Sequence, residues 1–415
     1  MSRTALGPSS FVFVFAALAM TACPGGDDGD TGANDASSST TNGPTTGDDS
    51  ATGTDDAATE TGDETAAGAC DVPAEWSAPD WETNAGPALA LRAQLDTLTG
   101  DATMRGAETG AVDLSDLEQL NAVWDGDPSL ASVASPGYLP VVEASFEEFI
   151  AVLAAGPQEL VDAEGTWMPG PDGGIWGDDA RGINEGGLEV RQLVDKGGYS
   201  GGVLYAYALS LTEGEITPAT IDAIAAAWGN NAALDPEGEL TDAASYGYQM
   251  GFHAVMADAL VTAKALAENT ECVMERDEAL RTFFAQWELS MLARTVFYGN
   301  RAEGKLLAAT TGTELAGVLH DLAEGIGVAA GFYGLPDPAS GPLSGGARVI
   351  TDEQIAAVTG ALGVDLDDLG ASTTGTLLES LPMLEASVAD TEAVLMEVYG
   401  LDAATIATYV MPTPG

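Results

Sequence analysis

The sequence predicts an all-α protein, a multi-helix bundle that forms one large or two-lobed domain after a disordered N-terminal tether. Apolar residues recur at spacings of three and four along most segments after residue 70, which is typical of helices packed on a core. Several of these segments open with Thr or Ser and end before Gly. Runs of alternating Val, Ile and Thr, which would indicate strands, are scarce. We therefore assign residues 70–415 to a helical domain.

The N-terminus has the features of an export signal. Arg3 precedes an apolar run over residues 11–20, shorter than the roughly 20 residues of a spanning helix and typical of a signal peptide. Residues 20–23, MTAC, resemble the lipobox of bacterial lipoproteins, although Met20 stands where Leu is usual. We expect residues 1–22 to be removed and Cys23 to carry lipid. The protein would then be anchored in the bacterial envelope, at the outer membrane or cell surface. An ordinary secreted protein is the alternative.

Residues 23–69 are predicted to be a disordered acidic tether. From residue 24 this segment has no aromatic residue, no Lys or Arg, and no Val, Ile, Leu or Met. Such a chain cannot bury enough apolar surface to offset the entropy lost on ordering, and its carboxylates repel one another. The segment would hold the domain away from a membrane.

The three cysteines, Cys23, Cys70 and Cys272, suggest one disulfide. If Cys23 carries lipid, an even pair remains, and exported proteins commonly oxidise such pairs. We expect Cys70 and Cys272 to be bonded, which would pin the start of the domain to a distant helix. Two unrelated buried thiols are the alternative.

The charge is strongly acidic: 65 acidic and 13 basic residues give a formal net charge of −52. Phosphate backbones would repel such a chain, so a nucleic-acid partner is not expected. Solubility, adaptation to salt and divalent-cation binding would each explain the excess. The sequence contains no D-x-[DN]-x-[DN]-G loop, so a calcium site of that design is not indicated.

The helices can be placed by their start signals. Ser145 with Glu148 three residues later predicts a capping box and a helix over 145–155, and Thr217-Pro218 predicts a helix over 217–228. Further helices are predicted over 241–269, 270–298, 313–332, 351–362 and 377–399. Two long glycine-rich loops, 164–185 and 334–346, interrupt the series. We expect the two tryptophans of the first loop to pack it onto the bundle.

Three stretches together resemble a known bacterial family. They are GLEVRQLVDKG at 187–197, followed by GYSGGVLYAYAL, then VFYGNRA at 296–302 and LHDLAEGIGVAAGF at 319–332. Their order is similar to that in the family catalogued as domain of unknown function 4856. The resemblance covers under half of the chain and implies an exported helical lipoprotein without an assigned activity. Where that family typically carries Glu-His-x-Trp-Asp-Glu-Ala, this chain has QMGFHAVMAD at 249–258.

The same segment partly resembles imelysin-like proteins, exported helical proteins that carry Gly-x-His-x-x-Glu and are linked to iron uptake. Gly251, Phe252 and His253 fit this pattern, but Met256 stands where Glu belongs. Because a metal site needs that carboxylate as ligand or base, the resemblance implies a shared bundle architecture rather than a peptidase.

The chain has only two histidines, and one of them is paired in sequence with a carboxylate. On a helix, His320 and Glu324 fall on one stripe with Gly317, Gly327 and Gly331. The glycines would let another backbone or a ligand approach closely. The pair could fix helix register as a buried polar pair, bind a ligand or metal, or lie solvated at the surface.

His253 lies among apolar and aromatic neighbours, which is more typical of a core histidine than of a ligand. A joint metal site of His253, His320 and Glu324 would require their helices to cross at these residues. The metal would be a divalent or iron-type ion.

Charged residues in the resembling stretches predict a polar network. Glu189 and Lys196 are two turns apart on one helical face, and Arg301 could reach Glu324 across helices. We interpret the network as structural, with substrate binding as the alternative. The chain has no G-x-S-x-G, P-loop or dinucleotide fingerprint.

The functional prediction is a lipid-anchored binding or interaction protein of the envelope, whose partner is a small ligand, a metal or another envelope protein. Whether it is an enzyme stays open, although the missing motifs favour a non-catalytic protein. An imelysin-like metal-dependent hydrolase and a purely structural envelope protein are the alternatives.

Overall fold

Helices dominate the described part of the chain, which confirms the predicted all-α class, and the two strands found there form one short hairpin. The structure is a computed structural model that describes residue 70 and residues 75–158, 173–336, 343, 348–367, 369 and 381–411. These all fall within one compact unit, Glu60–Gly415. The predicted signal peptide, Cys23 and the tether lie outside the described residues.

The elements follow one another in a simple order. The α-helices are α1 Trp81–Thr99, α2 Met104–Glu108, α3 Leu117–Trp124, α4 Leu139–Ala155, α5 Arg191–Gly197, α6 Leu204–Ser210, α7 Pro218–Trp228, α8 Asp242–Gln249, α9 His253–Leu266, α10 Val273–Leu306, α11 Gly312–Ala330, α12 Asp352–Ala361, α13 Leu384–Tyr399 and α14 Ala403–Val410. Strands β1, Gly174–Trp176, and β2, Arg181–Ile183, pair antiparallel. A π-helix, Gly198–Gly202, joins α5 to α6, and short 3₁₀ turns occur at Leu211–Glu213 and Leu381–Met383.

Several predicted helix starts are confirmed by their caps. Thr217 caps α7 in a reciprocal box with Thr220, and the helix ends at Gly229 in the left-handed conformation that glycine adopts freely. Thr351 caps α12 with Gln354 in the same way. The start of α11 differs slightly from the prediction: the helix begins at Gly312 instead of Thr313, because Thr311 and Glu314 form its capping box.

The predicted start of α4 is wrong. The helix begins at Leu139, with Pro140 in its first turn, so Ser145 lies inside it. The Ser145 hydroxyl is buried and donates to the carbonyl of Val141. Glu148 accepts a hydrogen bond from the side chain of Asn184 instead of closing a cap.

Two other predicted segments have different bounds from those expected. The single helix predicted over 241–269 is broken between α8 and α9, where Gly251 adopts a φ of 83°. The helix predicted over 270–298 continues to Leu306. In the loop predicted over 164–185, Trp176 is fully buried in β1, whereas Trp167 lies outside the described residues.

Helix α10 is the centre of the bundle. It packs against α8, α9, α11, α13 and α14. At its middle, Phe283, Phe284 and Trp287 form an aromatic cluster with Tyr205 of α6, whose ring meets Phe284 and Trp287 edge-on. Burying side chains of this size supplies much of the free energy that holds such a core together.

Close backbone contacts join α11 to α5 and the π-helix. A Cβ at Gly327 would overlap the carbonyl of Gln192, and a Cβ at Gly201 would overlap that of Gly331. Nearby, Gly137 and Gly334 lie against each other: a Cβ on either residue would overlap the Cα of the other. The contacts of Gly327 and Gly201 set the register of α5 and the π-helix against α11.

The start of the domain is fastened to α9 and α10. Cys70 and Cys272 form a disulfide, which confirms the predicted pair. The Lys264 ammonium lies 4.2 Å from the centre of the Trp76 ring and pairs with Asp222. Among the described residues, no helix combines the length and apolar character that crossing a membrane requires.

Candidate functional site

His320 lies between two buried carboxylates. Its Nδ1 is 2.8 Å from Oε2 of Glu189, which precedes α5, and its Nε2 is 3.7 Å from Oε2 of Glu324, one turn further along α11. The His320 side chain is 16% exposed, whereas that of Glu189 is fully buried. The imidazole therefore links α11 to the segment that precedes α5 and keeps limited access to solvent.

Glu189 is the most heavily contacted acid of this site. It accepts hydrogen bonds of 3.0 Å from both Arg191 and Gln192, and Arg181 lies 3.7 Å away. Burial raises the pKa of Glu189, but His320, Arg191 and Arg181 outweigh burial and hold that pKa well below its usual value.

The predicted shared face of Glu189 and Lys196 is wrong, because α5 begins only at Arg191 and Glu189 turns toward His320. Lys196 pairs instead with Glu324, at 3.3 Å, and with Asp195, at 3.5 Å. Its ammonium also donates to the hydroxyl of Tyr246.

The predicted reach of Arg301 to Glu324 is also wrong. Arg301 pairs with Asp321, with 3.3 Å between Arg301 Nε and Asp321 Oδ2. Lys305 pairs with the same oxygen, with 2.8 Å between Lys305 Nζ and Asp321 Oδ2. Asp321 lies about 100° further around α11 than His320, a position from which it meets these two side chains of α10.

Glu108 extends the site toward the hairpin, and the sequence analysis missed it. It accepts from the backbone N–H of Gly182 and from the side chains of Arg105 and Arg191. Burial raises the pKa of Glu108, and Arg191 opposes that rise. Helix α2 is too short to show a periodicity that would have singled out this residue.

We call this set the α5–α11 ion network. Its members are Glu108, Glu189, Arg191, Lys196, His320 and Glu324. It joins segments that are far apart in sequence, and each carboxylate in it meets at least one cationic side chain or His320.

The two histidines have separate surroundings. His253 is buried, with Nε2 2.8 Å from the amide of Asn230 and its ring 5.1 Å from that of Trp228. Burial lowers the pKa of His253. Within the described residues it belongs to no cluster of three side chains that could hold a metal. The structure therefore does not bring His253 and His320 together in one site.

His320, Asp321 and Glu324 do form such a cluster, with one ligand atom from each lying within 4.8 Å of the others. A second cluster, Cys70, Cys272 and Glu275, meets the same distance criterion. Its sulfurs are joined in the disulfide, so they are not thiolate ligands.

The glycine stripe beside His320 is largely filled by protein. The backbone of Gln192 covers Gly327, and that of Gly197 and Gly201 covers Gly331, whereas a Cβ at Gly317 would meet no atom. The sequence suggested two uses for this glycine stripe, and the structure shows the approach of another backbone. Backbone atoms occupy the space beside Gly327 and Gly331 that a ligand would need.

A further buried carboxylate, that of Glu288 in α10, lies outside this network and was also missed. It accepts hydrogen bonds from the backbone N–H groups of Val349 and Ile350 and from the hydroxyl of Tyr399. Burial raises the pKa of Glu288 to about 7, against the opposing effect of these donors. Glu288 thus ties two later segments to the central helix.

Comparison with known proteins adds no assignment to this description. No protein-family model matches the chain, and no curated protein or solved structure matches it either. The resemblances to the two families therefore stay predictions.

Proposed function

We propose that this chain is an exported, lipid-anchored binding protein that holds a divalent metal ion with His320, Asp321 and Glu324. The orientation of the His320 ring is the main observation that supports the metal site. With its Nδ1–H donated to Glu189, a neutral imidazole presents the lone pair of Nε2 toward Glu324. A buried carboxylate that orients a histidine in this way is a common feature of metal sites.

The spacing of the ligand atoms fits one ion. Two ligands of a tetrahedral zinc ion lie roughly 3.4 Å apart, given bonds of about 2.1 Å. The 3.7 Å between His320 Nε2 and Glu324 Oε2 is close to that value and long for a hydrogen bond. A carboxylate from Asp321 completes a set of three protein ligands.

A purely structural role is the second candidate, and the same site supplies its support. Lys196 holds Glu324, while Arg301 and Lys305 hold Asp321. A metal ion must compete with these cations, which lowers its affinity. If it cannot, the α5–α11 ion network only fixes the register of the two helices.

Metal titration of the purified domain separates the two candidates. We expect calorimetry with Zn²⁺, and absorption spectra with Co²⁺, to show one bound ion in the wild-type protein and none in His320→Gln. His253→Gln is the matched control and should bind as the wild type does. Binding should weaken as the pH falls, because protons compete with the metal ion for its ligands. Equal metal uptake by the two variants, or no metal uptake by the wild type, would support the structural role instead.

The location is proposed from residues 20–23 and from the acidic segment that follows them. In a bacterial host that processes lipoproteins, the full chain should incorporate labelled palmitate and sediment with membranes. Cys23→Ala should lose both properties. A labelled Cys23→Ala protein, or an unlabelled wild type, would contradict the anchor. The imelysin-like hydrolase stays an alternative that metal binding would reopen, since Glu324 would then lie beside a bound ion.

A further inference from the structure

Arg294 of α10 is a buried cation that has no carboxylate within ion-pair distance among the described residues. Its residue is 7% exposed, in a chain with 65 acidic and 13 basic residues. Every other Lys and Arg among the described residues lies within ion-pair distance of a carboxylate. In so acidic a protein, an arginine that lacks such a partner calls for an explanation, because a buried charge is costly unless it is paired.

Aromatic rings surround the Arg294 guanidinium. Its central carbon lies 4.4 Å from the ring centre of Phe297, 4.6 Å from that of Tyr246 and 4.9 Å from that of Tyr298. Its hydrogen bond to the protein goes to the hydroxyl of Tyr298, at 3.4 Å, and its Nε has no partner. The rings attract the cation through their faces but do not use its planar set of N–H donors.

The neighbouring charges do not satisfy Arg294. Burial lowers the pKa of Arg294, and the nearby Tyr298 and Tyr246 raise it. The charge of Glu324 raises the pKa of Arg294 by a smaller amount. The Glu324 carboxylate is nevertheless engaged by Lys196 and His320. Lys196, the other cation here, donates to the hydroxyl of Tyr246.

We propose that Arg294, Tyr246 and Phe297 form a binding site for the carboxylate group of a small organic acid with an apolar body. The guanidinium offers parallel N–H donors that match the two oxygens of a carboxylate. Tyr246 and Phe297 are only partly buried, so their rings frame the site where it meets solvent and can pack on an apolar ligand. None of these three residues is a proposed metal ligand.

The charge of the protein favours a carboxylate over a phosphate. A net charge of −52 repels anions, and the repulsion grows with the charge that a ligand carries. A singly charged carboxylate meets less of this repulsion than a phosphate dianion, and an apolar body adds contact with the rings that a bare inorganic ion cannot make. Inorganic phosphate is therefore the anion whose binding should be compared with that of a carboxylate.

The test compares benzoate with benzamide, its neutral analogue of the same shape, by NMR titration of the metal-free protein at low salt. We expect benzoate to bind and to shift signals of Tyr246 and Phe297, with benzamide and inorganic phosphate at least about tenfold weaker. Benzoate that binds no better than benzamide or phosphate would overturn the proposal.

Two substitutions locate the site. Arg294→Met keeps the length and packing of the side chain and should weaken benzoate binding at least about tenfold, whereas Arg294→Lys keeps the charge and should lose less. Arg281→Met, at an arginine paired with Glu278, is the matched control and should bind as the wild type does. Unchanged benzoate binding by Arg294→Met would show that Arg294 serves only packing. If Arg294→Met fails to fold, Arg294→Lys and the benzamide comparison still decide.

Discussion

Replacing Glu189 by Ala should lower the free energy of unfolding at pH 7 by about 3–5 kcal/mol, the range expected when one partner of a buried ion pair is removed. The substitution leaves Arg191 without its 3.0 Å partner and His320 without the acceptor at Nδ1. Urea denaturation of wild type and variant measures the difference. Glu213→Ala, at an exposed acid, is the control and should change stability by no more than about 0.5 kcal/mol.

The same residue predicts a response to acid. Because the folded-state pKa of Glu189 is well below its ordinary 4.5, its ionised form stabilises the fold above pH 4.5. That contribution is lost as the pH falls below 4.5 through the lowered pKa. The difference between wild type and Glu189→Ala should therefore shrink in acid. A difference that is small at pH 7, or constant down to pH 3, would show that other contacts hold the two helices.

Glu288→Gln should remove a pH dependence of opposite sign. The pKa of Glu288 is raised from 4.5 to about 7 in the fold, so the protonated form is favoured there and ionisation opposes folding. The stabilisation is complete below pH 4.5 and is lost as the pH rises to about 7. A shift of this size corresponds to roughly 3 kcal/mol. Gln cannot ionise, so the variant should lack this slope.

Unfolding free energies at pH 5, 6, 7, 8 and 9 test this difference. The wild type should lose stability relative to Glu288→Gln between pH 5 and pH 7, and the two curves should run parallel above pH 8. Parallel curves over the whole range would mean that the donors from Val349, Ile350 and Tyr399 keep Glu288 ionised in the fold. Tyr399→Phe removes one of these donors and should raise the pKa of Glu288 further.

Local signals in the sequence predict the helices well where a cap and a glycine stop coincide. Helix α7 has both, at Thr217 and Gly229, and its predicted bounds hold. At Ser145 the cap signal misleads, because Pro140 offers an earlier start and the Ser145 hydroxyl is satisfied inside the helix. The break at Gly251 was also missed, since apolar spacing continues across it and only the backbone conformation shows the change.

The site is harder to predict because its partners come from distant segments. Spacing correctly places His320 beside Glu324, one turn apart on α11. It cannot show that Glu189 approaches from the segment before α5 or that Glu108 approaches from α2, because those contacts depend on tertiary packing. The sequence also cannot show that Arg294 lacks a carboxylate partner among the described residues, because this depends on which side chains the fold places around it.

The back-to-back glycines of this fold offer a way to recognise relatives that overall similarity does not reveal. Gly201 needs the space beside Gly331, and Gly137 needs the space beside Gly334, so enlarging either member of a pair displaces the other. Two chains that share this packing should keep both members small together, whatever their other residues. A search for sequences that keep both glycine pairs at matching spacings could identify proteins with the same packing, even where most of their surface residues differ.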